Sequence, residues 1–155
     1  MSPAEVPYIA VIGASQATDA DVADAEQVGR LLAAAGAIVV CGGRGGVMAA
    51  VSRGAASAGG TVIGMLPGES RSDANEWVTV SIPTGMGELR NGLIVRSAEA
   101  MIAVGGAYGT LSEIALGLSA GLKVYGLHTW EIDGIEPVDT PAAAVERALL
   151  AARSR

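Results

Sequence analysis

Short uninterrupted apolar runs alternate along this chain with longer segments in which apolar residues recur every three or four positions. The first run, Tyr8-Ile-Ala-Val-Ile12, is ended by Gly13, and Ala37–Cys41, Thr61–Leu66, Val78–Ile82, Ala100–Val104 and Leu122–Leu127 follow it. These runs are rich in β-branched residues and too short for helices, so each predicts a strand. They lack polar alternation, which predicts strands covered on both faces, as in a parallel sheet between helical layers. The intervening segments have helical spacing. In Asp21–Ala35 the apolar positions are Val22, Ala25, Val28, Leu32 and Ala35, with Thr18 or Asp19 available as the cap. After Gly109, the residues Leu111, Ile114, Ala115 and Leu118 form one stripe, and Gly121 is a stop. Pro141 opens a last helix through about Ala152.

The resulting order, β-α-β-α-β-β-α-β-α-β-α, predicts one domain over residues 1–155 of the α/β class. Its architecture is a doubly wound, mostly parallel sheet with helices on both faces. Ligands of such sheets bind at the carboxyl ends of the strands, where the strand order reverses. The polar stretch Gly68–Glu76 reads as a mobile loop.

Composition narrows the class. Half of the residues are hydrophobic (50%) and only 17% are charged, which excludes a disordered chain. Phe is absent, so the core must be aliphatic. Lys+Arg number 10 against 16 Asp+Glu, a net charge of −6, and the arginines are scattered from Arg30 to Arg155. That distribution leaves no electrostatic footprint for duplex nucleic acid, so any anion must be held locally. The lone Cys41 excludes an internal disulfide, Met-Ser-Pro-Ala-Glu lacks the pattern of a signal peptide, and no run is long enough for a membrane span. A cytoplasmic protein without membrane partners is the expectation.

Much of the glycine, 22 residues in all, falls where chemistry is expected. In Val40-Cys-Gly-Gly-Arg-Gly-Gly-Val-Met48 a strand runs into Gly42, Gly43, Arg44, Gly45 and Gly46 and then a helix carrying Met48. Glycines there let a ligand approach the main chain, and the free amides of a helix start attract an anion. The pattern is neither a Walker A loop nor a dinucleotide fingerprint. A turn with no ligand is the alternative. The turn Gly13-Ala-Ser15-Gln16 occupies the same sheet end. In Val104-Gly105-Gly106-Ala-Tyr108-Gly109-Thr110-Leu-Ser-Glu113, a second strand, glycine turn and helix recur. Thr110 and Glu113 have capping-box spacing, while Glu113 lies off the apolar stripe and so is also a candidate carboxylate facing a ligand. In Gly85-Met-Gly-Glu-Leu-Arg90-Asn91, Arg90 can bind phosphate by paired hydrogen bonds, or serve as a partner for Glu88. Cys41 and His128 make a weaker candidate dyad, and one His with one Cys supplies no metal-ligand cluster.

The run Ala98–Glu113 resembles the Pro-Gly-Gly-x-Gly-Thr-x-x-Glu signature of the LONELY GUY proteins, cytokinin-activating phosphoribohydrolases long misannotated as lysine decarboxylases. The cluster Gly42–Gly46 is similar to that superfamily's first phosphate loop. This resemblance implies a Rossmann-like fold, and it implies catalytic roles for Arg90 and Glu113 at the N-glycosidic bond of a nucleoside 5′-monophosphate. Gly87, Asn91, Gly105, Ala107 and Ser112 depart from the hydrolase pattern toward a sister group, the molybdenum cofactor carrier proteins. That likeness implies a binding protein for a phosphorylated nucleotide-like molecule, a nucleotide or the molybdenum cofactor, with no obligatory cofactor, and a homodimer or larger assembly. The alternative it leaves is the phosphoribohydrolase. Decarboxylation through pyridoxal phosphate is not favoured, since the only lysine, Lys123, opens a strand away from the glycine turns.

Overall fold

The computed structural model of the protein describes residues 5–155, so most of the N-terminal segment considered above for targeting lies outside the described residues. One sheet holds β1 (Tyr8–Gly13), β2 (Ile38–Cys41), β3 (Thr61–Leu66), β4 (Val80–Pro83), β5 (Ala100–Val104), β6 (Val124–Leu127) and β7 (Ile135–Pro137). The helices are α1 (Asp19–Ala34), α2 (Val47–Ser57), α3 (Asn91–Arg96), α4 (Tyr108–Ser119) and α5 (Pro141–Arg153), with 3-10 turns at Arg71–Asp73 and Gly87–Arg90. Every strand pair is parallel, in the order β4-β3-β2-β1-β5-β6-β7. From β1 the chain steps outward to β4, then returns to the other side of β1 with β5. The order therefore reverses between β1 and β5, and their paired ends, Gly13 against Val104, open the crevice where ligands bind in such sheets.

Alternate residues of each strand enter opposite cores. Ile9 and Val11 pack under α1, α2 and α5, while Ala10 and Ile12 pack under α3 and α4. The helix ends follow the chemistry of their residues. Thr18 caps α1 by accepting the Asp21 amide at 3.1 Å, and Thr140 caps α5 from the Ala143 amide ahead of Pro141. Ala144, Val145, Ala148 and Leu149 bury the inner face of α5, so this helix serves the core.

Several expectations are corrected. β7 is an additional strand; it has three residues and so no periodicity, and Pro137 is tolerated because the strand lies at an edge. β4 starts at Val80, since Val78 turns its side chain onto Gly64. As the other edge, β4 leaves Val80 and Ile82 partly exposed, so cover on both faces fails there. Ala35 is exposed at the C-cap of α1. In α4 the buried stripe is Thr110, Glu113, Ile114 and Gly117, with Ala115 exposed. A Cβ on Gly117 would lie 2.2 Å from the Met101 sulfur, so glycine at this position lets α4 settle onto β5 with its polar residues turned inward. The Gly68–Glu76 loop is tied down by Asn75, whose amides donate to Gly43 O and Arg44 O, both at 2.9 Å.

Candidate functional site

The carboxyl ends of β1, β2, β3 and β5 surround a cleft of about 680 Å³ at the reversal point. The first turn contributes Gly13, Ser15 and Gln16, the second Gly42, Arg44, Gly45 and Met48, and the last Ala107, Gly109, Thr110 and Glu113. Pro67, Glu88, Arg90 and Asn91 close the remaining side. The three separate glycine-bearing turns and the Arg90 segment thus converge on one space.

Arg90 is buried and held as a fixed cation. Its Nε donates to Met65 O at 2.9 Å and its Nη1 to Asn91 Oδ1. Its Nη2 lies beside Gly42, where an added Cβ would be 3.1 Å away, so the glycine makes room for the guanidinium. The ion pair with Glu88 considered above is absent among the described residues; Asn91 instead donates to Glu88 Oε2 over a long 3.5 Å.

Glu113 is almost fully buried, and burial pushes its carboxyl up to about 8, with Glu88 adding to the rise and the Arg90 cation opposing it. At neutral pH the side chain is therefore mostly neutral and can donate a proton. The capping box does not form. The N-cap of α4 is Ala107, no side chain caps this end, and Thr110 sits inside the first turn with its buried hydroxyl lacking a protein partner. An uncapped helix start with an unpartnered hydroxyl inside a cleft is suited to a phosphate or other oxyanion. The start of α2 is less available, because Val47 N donates to Ala14 O at 3.1 Å.

Not every expected residue lines the cleft. Gly43 packs on Gly64 of β3, and Gly46 (φ 62) lies so close to Ala14 O that a Cβ would stand 2.3 Å from it. Gly105 (φ 57) faces the Asp21 carboxylate, and Gly106 (φ 134) abuts Thr110. These four shape the turns. Tyr108 is 82% exposed and stands outside the cleft lining. The lining residues that sequence reasoning passed over include Gln16, Pro67 and Glu88. Glu88 carried a signal, since it lies two positions before Arg90.

The Cys41–His128 dyad does not form. Cys41 is fully buried on β2, where burial pushes its thiol up, and it contacts Ser52 Oγ at 3.7 Å. His128 follows β6, three strands away or roughly 14 Å at normal strand spacing, and lies 4.0 Å from Asp24. Among the described residues no group of three or more His, Cys, Asp or Glu could hold a metal ion, and no helix is long and apolar enough to cross a membrane.

The family model of the SLOG cluster4 family matches residues 6–151. An uncharacterised protein of Archaeoglobus fulgidus is 42% identical over 138 residues, 88% of this chain and 91% of that protein. Among solved structures, the molybdenum cofactor binding protein of Rippkaea orientalis is similar at a TM-score of 0.87 and 34% identity, over 92% of this chain and 94% of that one. The molybdenum cofactor carrier protein of Chlamydomonas reinhardtii is similar at a TM-score of 0.84 and 33% identity, over 94% of this chain and 98% of that one.

Proposed function

This chain belongs to the SLOG cluster4 family, and on that footing we propose that its cleft binds a phosphorylated, nucleotide-like small molecule, a nucleotide or the molybdenum cofactor, as a carrier does. The observation that carries this reading is the start of α4, where the buried Thr110 hydroxyl has no protein partner. The phosphate would be received there by the helix amides and Thr110, with Arg90 as the cation across the cleft. This local arrangement answers the net charge of −6, which would repel an anion at long range. The similarity to a molybdenum cofactor binding protein and a carrier protein supports the same ligand class. A homodimer belongs to the reading, and Leu89, Leu93 and Leu116, left exposed on the α3–α4 side, are candidate contacts.

Thr110→Val tests the reading because it keeps the shape of the side chain and removes only the hydroxyl. The melting temperature is expected to hold or rise, since no protein hydrogen bond is lost. Affinity for GMP, measured by calorimetry, is expected to fall about tenfold, the worth of a hydrogen bond to a charged group. Wild-type affinity in Thr110→Val would remove the phosphate from α4.

One observation favours a second reading, the nucleoside 5′-monophosphate phosphoribohydrolase. A carboxyl that is mostly neutral at pH 7 can protonate a departing base, and Glu113 lies in the same cleft as Arg90. On this reading the wild-type protein releases free adenine from AMP, and Glu113→Gln does not. Equal release by the two proteins would end the enzymatic reading and leave the carrier.

A further inference from the structure

This chain uses aromatic residues sparingly, with two Trp, three Tyr and no Phe. Two of them meet at the first turn of α4. The rings of Tyr108 and Trp130 stack with centroids 6.1 Å apart and planes 27° from parallel. The Trp130 indole N–H donates to Ala107 O at 3.2 Å, which fixes the indole to the N-cap residue of α4. Trp130 is half-buried and packs against the core under α3 and α4, so the pair has a rigid base. Tyr108 itself is 82% exposed, so the ring face turned away from Trp130 is open.

The position of this ring gives it a use. Ala107 and Gly109, its two chain neighbours, both line the cleft, so Tyr108 stands on the rim between them. It occupies the same first helical turn as Thr110, with Thr110 directed inward and Tyr108 outward. A ligand whose phosphate is held at the start of α4, and whose far end leaves the cleft on the side of Ala107 and Gly109, would meet this ring. Hydrophobic burial does not account for an aromatic left so exposed, whereas a flat group stacking on it does.

We propose that Tyr108, backed by Trp130, is the stacking platform for the planar heteroaromatic ring of the bound ligand. This inference rests on the phosphate-binding reading of the cleft and adds the part of the ligand that the phosphate site does not recognise. Guanine and pterin share the fused aminopyrimidinone ring, and both present the flat face that such a platform takes. Stacking of this kind is tolerant of ring identity and sets a preference for ligands with a base over bare sugar phosphates.

The experiment is calorimetric titration of the wild type, Tyr108→Ala and Tyr108→Phe with GMP, 6-hydroxymethylpterin phosphate and ribose 5-phosphate. The wild type is expected to bind at least one ring-bearing ligand about tenfold more tightly than ribose 5-phosphate. Tyr108→Ala is expected to lose that preference while binding ribose 5-phosphate as the wild type does, and Tyr108→Phe to retain it. A loss with GMP or with the pterin supports the platform and identifies the ring it takes. A full preference surviving in Tyr108→Ala overturns the platform and leaves the phosphate site standing. If none of the three ligands binds the wild type, the phosphate-binding reading fails and the platform fails with it.

Discussion

Glu113→Gln is expected to raise the melting temperature by about 15 °C at pH 8.5 and to leave it unchanged at pH 4. In the unfolded chain this carboxyl ionises near 4.5, whereas burial in the fold pushes it up to about 8. Between those values the unfolded state gives up the proton and the folded state keeps it. Each pH unit in that window therefore favours unfolding by about 1.4 kcal/mol. The stability associated with neutral Glu113 is complete below pH 4.5, declines as pH rises, and is gone above pH 8, a total of roughly 5 kcal/mol. Gln has nearly the same shape and never ionises, so the variant escapes the decline. Thermal denaturation of both proteins from pH 4 to 9 checks this, and a constant difference across that range would contradict it. The Arg90 charge opposes the shift, but burial is the larger effect, and the guanidinium donates to Met65 O and Asn91 Oδ1.

Gly54→Ala is expected to destabilise the fold by about 3 kcal/mol, lowering the melting temperature by roughly 10 °C. Two effects oppose each other. Helix propensity favours Ala over Gly by about 1 kcal/mol within α2. Against it, a Cβ at Gly54 would stand 1.9 Å from Glu26 O and 3.1 Å from Arg30 N of α1. These are backbone atoms, so no rotamer change relieves the clash and the helices must part. Gly29 of α1 makes the reciprocal approach, where an added Cβ would stand 2.1 Å from Val51 O. Gly92 in α3 supplies the contrast, since nothing lies within 4 Å of its Cβ position. Gly92→Ala is expected to stabilise by up to about 1 kcal/mol. Chemical denaturation of the two variants decides the matter, and a shift of the same sign in both would mean that propensity alone governs α2. The crossing also bears on the ligand. α1 and α2 follow the turns that line the cleft, so forcing them apart is expected to disturb its width.

The legibility of the fold varied with the length and depth of each element. Central strands such as Tyr8–Gly13 and Ala100–Val104 are buried on both faces, so their composition alone identified them. Thr18 and Pro141 marked helix starts because capping and a fixed φ are properties of single residues. Ile135–Pro137 offered no such signal, being three residues at a solvent-facing edge. The site was legible as a set of turns but not as a lining. Gly42 and Gly46 look alike in sequence, yet one faces the Arg90 guanidinium and the other the Ala14 carbonyl. Thr110 and Glu113 carried capping-box spacing, and only the position of the helix start, three residues earlier at Ala107, freed them from that role.

By itself the sequence determined the α/β class, the doubly wound order of elements and the gathering of glycines at strand ends, because hydrophobic period and backbone permissiveness are local properties. The tertiary structure alone decided which face of α4 turns inward, that Arg90 and Glu113 share one cleft, and that Tyr108 stands outside it on Trp130. Those outcomes depend on what each helix packs against. The absence of a side chain at Gly117, opposite Met101, lets α4 settle with Glu113 buried, although that residue lies off the apolar stripe of the sequence.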